Sequence, residues 1–158
     1  RSAYAAAIRE APEDMPARAW IALADLAFDD GDAAMAMANY TQALKRLPMS
    51  TGHRAEVRLK IARTASRLND RELARQAYAD YLAAHPMDSD IRLEAARVLS
   101  AQGAHKEAVR HYRKVAAQGP VAGIEMELAR AFMAAEAYAE AETYARMAHA
   151  NHQADPEA

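Results

Sequence analysis

Three tyrosines carry the strongest constraint on this chain. Tyr40, Tyr78 and Tyr112 are each preceded four residues earlier by Ala, at Ala36, Ala74 and Ala108, and followed eight residues later by Pro, at Pro48, Pro86 and Pro120. Successive tyrosines lie 38 and 34 residues apart, and Tyr4 and Pro12 repeat the end of the pattern. Ala141 continues it 33 residues after Ala108, with Tyr138, Tyr144 and Ala148 around it. A period of this length marks a stack of like supersecondary units, each too small to bury its apolar face alone. The Ala–Tyr step of four residues is one helical turn, so the units are helical. Composition agrees, because 43 of the 158 residues are Ala and only 6% are aromatic. Small side chains favour closely packed helices, whereas a sheet draws on β-branched and aromatic ones.

A second helical pattern lies upstream of each Ala–Tyr pair, so each unit is a hairpin of a first helix, A, and a second, B. Ala24 with Ala36, Ala62 with Ala74, Ala96 with Ala108 and Ala129 with Ala141 are placed where the two axes cross and must approach closely. Gly31, Asn69 and Gly103 fall between the helices, where a left-handed capping residue is wanted. Pro48, Pro86 and Pro120 end the B helices, and Asp88-Ser89 offers oxygens to the exposed amides of the next A helix. Helices are expected over 2–10, 17–29, 33–46, 54–68, 71–84, 89–102, 105–117, 122–134 and 138–150. The longer 38-residue interval places four extra residues around Met49–His53, and Tyr81 stands close to that insertion.

The clearest copy reads Trp20-x2-Leu23-Ala24, Gly31, Ala36-x3-Tyr40, Ala43 and Pro48, and it resembles the tetratricopeptide repeat, a helix–turn–helix unit with W-x2-L-G, A-x3-F and P landmarks. The third copy keeps Ala95-Ala96, Leu99, Gly103, Ala108, Tyr112, Val115 and Pro120, while the second keeps Ile61-Ala62, Ala65, Asn69, Ala74 and Tyr78. The fourth keeps Leu128-Ala129, Phe132, Ala141 and Ala148. The resemblance implies an all-α fold, a right-handed α-solenoid of hairpins, with repeats over 17–50, 55–88, 89–121 and 122–155 and a truncated second helix over 1–12. Tyr81 occupies a position where that family usually has Ala, which implies distorted stacking there. With no initiator Met and no polar capping helix, the chain reads as a fragment of a longer protein.

Several function classes drop out. A net charge of −2 argues against a general nucleic-acid binder, and no apolar run approaches the roughly 18 residues of a membrane span. With no Cys there is no disulfide, Cys-ligated zinc or Cys nucleophile. None of the five Ser sits in a nucleophile elbow, and no Gly-rich phosphate loop occurs. His149-x2-His152 could offer two imidazoles to Zn²⁺ but has no third ligand, and His105 and His111 do no better. No enzyme, cofactor or metal is expected. Trp20, Phe28, Tyr40, Tyr78, Tyr112 and Phe132 are assigned to the core, and the charges at Arg71–Arg75 and Arg110–Lys114 to solvent.

The resemblance implies that a protein or peptide partner lies in the concave groove lined by the A helices. Carried over by register, the lining is Ile21, Asp25, Leu59, Lys60, Arg63, Arg67, Leu93, Glu94, Arg97, Met126, Glu127 and Arg130. Ile21, Leu59, Leu93 and Met126 recur at one position, and Asp25, Arg63, Arg97 and Arg130 one turn later. An apolar row beside a mostly arginine row suits a segment with aliphatic anchors and carboxylates. Equally, Glu94 with Arg97 and Glu127 with Arg130 are spaced to pair within their own helices, leaving a self-neutralised surface. The carboxylate-clamp members of the family use Asn where this chain has Asp25, Arg63, Arg97 and Arg130, so a Glu-Glu-Val-Asp tail is not the expected ligand. Two other roles stay open: a spacer in a bacterial exopolysaccharide secretion protein, which periplasmic arrays of this style resemble, and a peptide or small-ligand sensor. Self-association through uncapped terminal helices is also open.

Overall fold

The computed structural model describes residues 15–48, 52–119 and 123–154. Eight helices and no strand occur among them: α1 Ala17–Asp29, α2 Ala33–Arg46, α3 Gly52–Arg67, α4 Arg71–Ala84, α5 Ser89–Ala101, α6 His105–Ala117, α7 Glu125–Ala134 and α8 Tyr138–Ala154. Five coincide with the expected spans to within one residue. α3 starts two residues early, α7 starts three residues late and α8 runs four residues longer than expected. The helix expected over 2–10, with Tyr4 and Pro12, lies outside the described residues, as do residues 49–51 of the insertion and Pro120, Val121 and Ala122.

The helices fall into two units, Arg1–Pro86 and Met87–Ala158. In the first, α1 packs on α2, α2 on α3 and α3 on α4; in the second, α5 packs on α6, α6 on α7 and α7 on α8. The crossing alanines make this possible, since Ala24, Ala36, Ala62, Ala74 and Ala96 are each 0% exposed. Without a side chain beyond Cβ, the two backbones come together and larger neighbours fill the flanking grooves. Tyr40, Tyr78, Tyr112 and Phe132 are buried, as is Trp20. Phe28 departs from that pattern, because it remains half-buried at the end of α1. Tyr81 is accommodated in the core, with its ring stacked on His85 at 4.5 Å between centroids.

All four hairpins turn by one device. Gly31, Asn69, Gly103 and Glu136 have φ of 84°, 57°, 81° and 62°. The residue after each donates its N–H to a carbonyl five residues back: Asp32 to Ala27, Asp70 to Ala65, Ala104 to Leu99 and Ala137 to Phe132, all at 2.9 Å. This left-handed C-cap satisfies orphan carbonyls and turns the chain back on itself. Asp32, Asp70 and Asp88 then cap α2, α4 and α5 by accepting from Met35, Leu73 and Ile91 amides at 2.9, 3.2 and 3.0 Å. Nothing lies within 4 Å of a Cβ built on Gly31 or Gly103, so conformation rather than space calls for glycine there. Glu136 holds the same conformation with a full side chain. Glu136→Gly is therefore expected to stabilise the second unit by up to about 1 kcal/mol, read as a rise in thermal midpoint, and Gly103→Ala to lower it.

Candidate functional site

A tyrosine hydroxyl on a B helix holds a carboxylate of an A helix in both units. In the first, Tyr40 donates to Asp25 Oδ1 at 2.6 Å, and Lys60 Nζ of α3 meets the same oxygen at 2.5 Å. The Lys60 ammonium lies 5.8 Å from the centre of the Tyr40 ring. In the second, Tyr112 donates to Glu127 Oε1 of α7 at 2.8 Å. Arg97 of α5 grips both oxygens of Glu127, Nε to Oε1 at 2.8 Å and an Nη to Oε2 at 2.7 Å. The acid thus belongs to the tyrosine's own hairpin in one case and to the following hairpin in the other. Either way one carboxylate ties three helices together.

The electrostatics follow from that geometry. The Arg97 fork, helped by the Tyr112 hydroxyl, holds the Glu127 carboxyl below the usual carboxylate range against the opposing effect of burial. Burial first, then the bond to the carboxylate, pushes the Tyr40 and Tyr112 phenols up, so both remain protonated donors. Glu127 is spaced to pair with Arg130 within α7, but its carboxylate is taken by Arg97 of α5. A bidentate fork on the neighbouring helix offers two charged hydrogen bonds, and Tyr112 adds a third.

The remaining predicted residues separate. Arg67 sits over Phe28, its guanidinium 3.4 Å from the ring centre, and donates to the Phe28 carbonyl at 2.7 Å. Arg63 is exposed and lines an open cleft of about 300 Å³ with Asp25, Phe28, Asp29, Tyr40 and Lys60. Ile21 and Leu59 are half-buried, Leu93 is buried in the core, and Met126 is 48% exposed. The apolar row is therefore not uniformly presented to solvent. Arg130 is exposed and lines a separate cleft between α7 and α8.

Among the described residues no group of three His, Asp or Glu side chains could hold a metal, and the side chain of His152 lies outside them. No described helix is long and apolar enough to cross a membrane. His111 is half-buried on α6, and its Nδ1 is buried without a hydrogen bond. Burial, then Arg92 and Lys114, holds its imidazole below the ordinary value of 6.5, with only Glu107 opposing. The unfolded chain therefore binds this proton first, and stability falls as pH drops below that value. In His111→Gln, the loss of thermal midpoint between neutral pH and roughly pH 5.5 is expected to be smaller than in the parent chain.

Stacked hairpins with small residues at the crossings, left-handed turns and carboxylate ties between successive hairpins define a helical-repeat protein. The model of the tetratricopeptide repeat family matches residues 59–123, and the hairpins outside that span repeat the same landmarks. The chain has an all-α helical-repeat solenoid fold, and its residues 59–123 match the tetratricopeptide repeat. A crystal structure of MamA has this fold, with a TM-score of 0.76 over 99% of this chain and 89% of that one at 16% identity. A crystal structure of PilW, a widely conserved type IV pilus biogenesis factor, gives 0.74 over 99% of this chain and 70% of that one at 19% identity. At those identities the likeness is one of fold. No curated protein matches the chain in sequence.

Proposed function

We propose that this chain is a non-catalytic protein–protein interaction scaffold, and that its A helices hold a partner segment. The observation that carries this reading is an open cleft in the first unit where A-helix side chains, including the Asp25–Lys60 tie and Arg63, meet the aromatic rings of Phe28 and Tyr40. Asp25 with Lys60, and Arg97 with Glu127, join hairpins. Arg63 lines an open cleft whose other walls include Phe28 and Tyr40, with half-buried Leu59 and Ile21 on the same helices. In the second unit Met126 is the exposed apolar residue of that column. A segment carrying carboxylates and aliphatic side chains suits this chemistry, with the guanidinium taking the acid and the apolar walls the aliphatic groups.

Photo-cross-linking tests it. A photoreactive residue replacing Leu59 or Met126 should capture a partner segment from the native extract, while one replacing exposed Ala79 on α4 should not. Arg63→Glu should weaken capture at Leu59, and added salt should do the same, since an exposed ion pair is screened beyond roughly 8–10 Å at physiological ionic strength. Equal capture from Ala79, or no effect of Arg63→Glu and Arg63→Gln in variants with unchanged helicity, would remove the reading.

A further inference from the structure

The first residue of α7 is an acid that the second unit buries without a counter-ion. Glu125 is 9% exposed and accepts from the Gly123 amide and from Nδ2 of Asn151 on α8, both at 3.0 Å. Both donors are neutral, and among the described residues no cationic side chain pairs with Glu125. Two neutral hydrogen bonds ease the desolvation of a carboxylate but do not balance its charge. The other hairpins treat this register position differently. Trp20, Arg58, Arg92 and Glu125 stand 38, 34 and 33 residues apart, the spacings of the repeat itself. The Arg46 guanidinium sits over the Trp20 ring, 5.0 Å from its centre, and Arg58 meets Asp80 at 3.3 Å. Asn151 holds in the fourth hairpin the register position that Arg46 holds in the first, ten residues after the crossing alanine. The fourth hairpin thus has an acid where the first has an indole, and an amide where the first has a cation.

Glu125 also lines a cavity of about 480 Å³ among α6, α7 and α8. The apolar wall includes Ala116, Leu128, Tyr144 and Met147, and the Tyr144 ring is stacked on Phe132 at 5.4 Å between centroids. Glu140, the other carboxylate of the wall, is already held by Arg113 at 2.5 and 3.0 Å. We infer that this cavity binds a small organic amine, its ammonium on the Glu125 carboxylate and its hydrocarbon body against Leu128, Tyr144 and Met147. An ionised carboxylate has about four acceptor sites, of which Gly123 and Asn151 use two. The ammonium supplies the charged hydrogen bond that the Asn151 amide cannot. A lysine side chain of a partner protein carries the same ammonium, but a single stem leaves most of a cavity of this size unfilled.

2-Phenylethylamine at neutral pH is the probe. Saturable binding is expected by titration calorimetry, with a midpoint of roughly 1 mM or below, and amide chemical-shift changes on α6, α7 and α8. Glu125→Gln keeps an acceptor for the Gly123 amide, and so its helicity, yet should weaken the amine at least about tenfold, the scale of one charged hydrogen bond. Asn151→Arg, at an exposed position, provides the cation from within and should weaken the amine as much with helicity unchanged. 2-Phenylethanol, which lacks the charge, should bind the parent chain no better than it binds Glu125→Gln. Arg63→Glu should leave the amine's affinity as it is. No saturation up to about 10 mM amine, or equal affinity in Glu125→Gln and the parent, overturns the inference and leaves Glu125 a capping acid only. Tighter binding of Nα-acetyl-lysine methylamide than of 2-phenylethylamine overturns it in favour of a partner's side chain.

Discussion

Tyr112→Ala is expected to cost the second unit about 3–5 kcal/mol, the range for removing a large buried aromatic ring. Tyr112 is 1% exposed within a cluster that includes Leu99, Val115, Leu128 and Phe132, so its removal leaves a cavity at the junction of two hairpins. The loss also strips Glu127 of a hydrogen-bond donor. Tyr112→Phe separates the two contributions. It keeps the ring and deletes only the hydroxyl, and Glu127 still has the Arg97 fork, so about 1 kcal/mol is expected. Urea titrations followed by far-ultraviolet circular dichroism measure both. Equal losses in the two variants would show that the groove is not filled by the ring. Because repeat arrays unfold in coupled segments, the transition should broaden as the second unit melts ahead of the first.

The other large effect comes from adding volume. Ala108→Leu places three extra carbons where α5 and α6 cross, at a residue 1% exposed in the same cluster as Ala96. Neither backbone can yield without moving a turn that its capping bonds define, so a loss of about 1–3 kcal/mol or more is expected. Ala101→Leu, at an exposed position on α5, should stay within about 0.5 kcal/mol of the parent. The pair tests the crossing itself, because both changes are the same in chemistry and differ only in location. A parent-like melt for Ala108→Leu would mean that the periodic alanines do not set the approach of the helices.

The hairpins were legible in the sequence because what makes them is local. The residue after a left-handed one donates to a carbonyl five residues back, and an aspartate caps an amide three residues on. Such interactions are written within one turn of chain, and so the spans of α1, α2, α4, α5 and α6 could be read directly. The fourth turn was harder, since Glu136 takes the left-handed conformation without a glycine or asparagine to announce it. The charge pattern was legible only as columns. A signal existed for the ties: Asp25 and Tyr40 are separated by 15 residues, as are Tyr112 and Glu127. A tyrosine with an acid at that separation, in either direction, marks a carboxylate within reach of the hydroxyl once helices pack.

Period, turn chemistry and helix breakers in the chain alone determine that it forms alanine-crossed hairpins, because backbone hydrogen bonds and caps are satisfied between near neighbours. Which arginine holds which acid was decided only by tertiary structure. Glu127 has Arg130 one turn away on its own helix and Arg97 thirty residues earlier, and packing places the latter's fork and the Tyr112 hydroxyl on the same carboxylate. Three donors in fixed geometry outcompete a single flexible contact. Arg130 is thereby turned to another cleft.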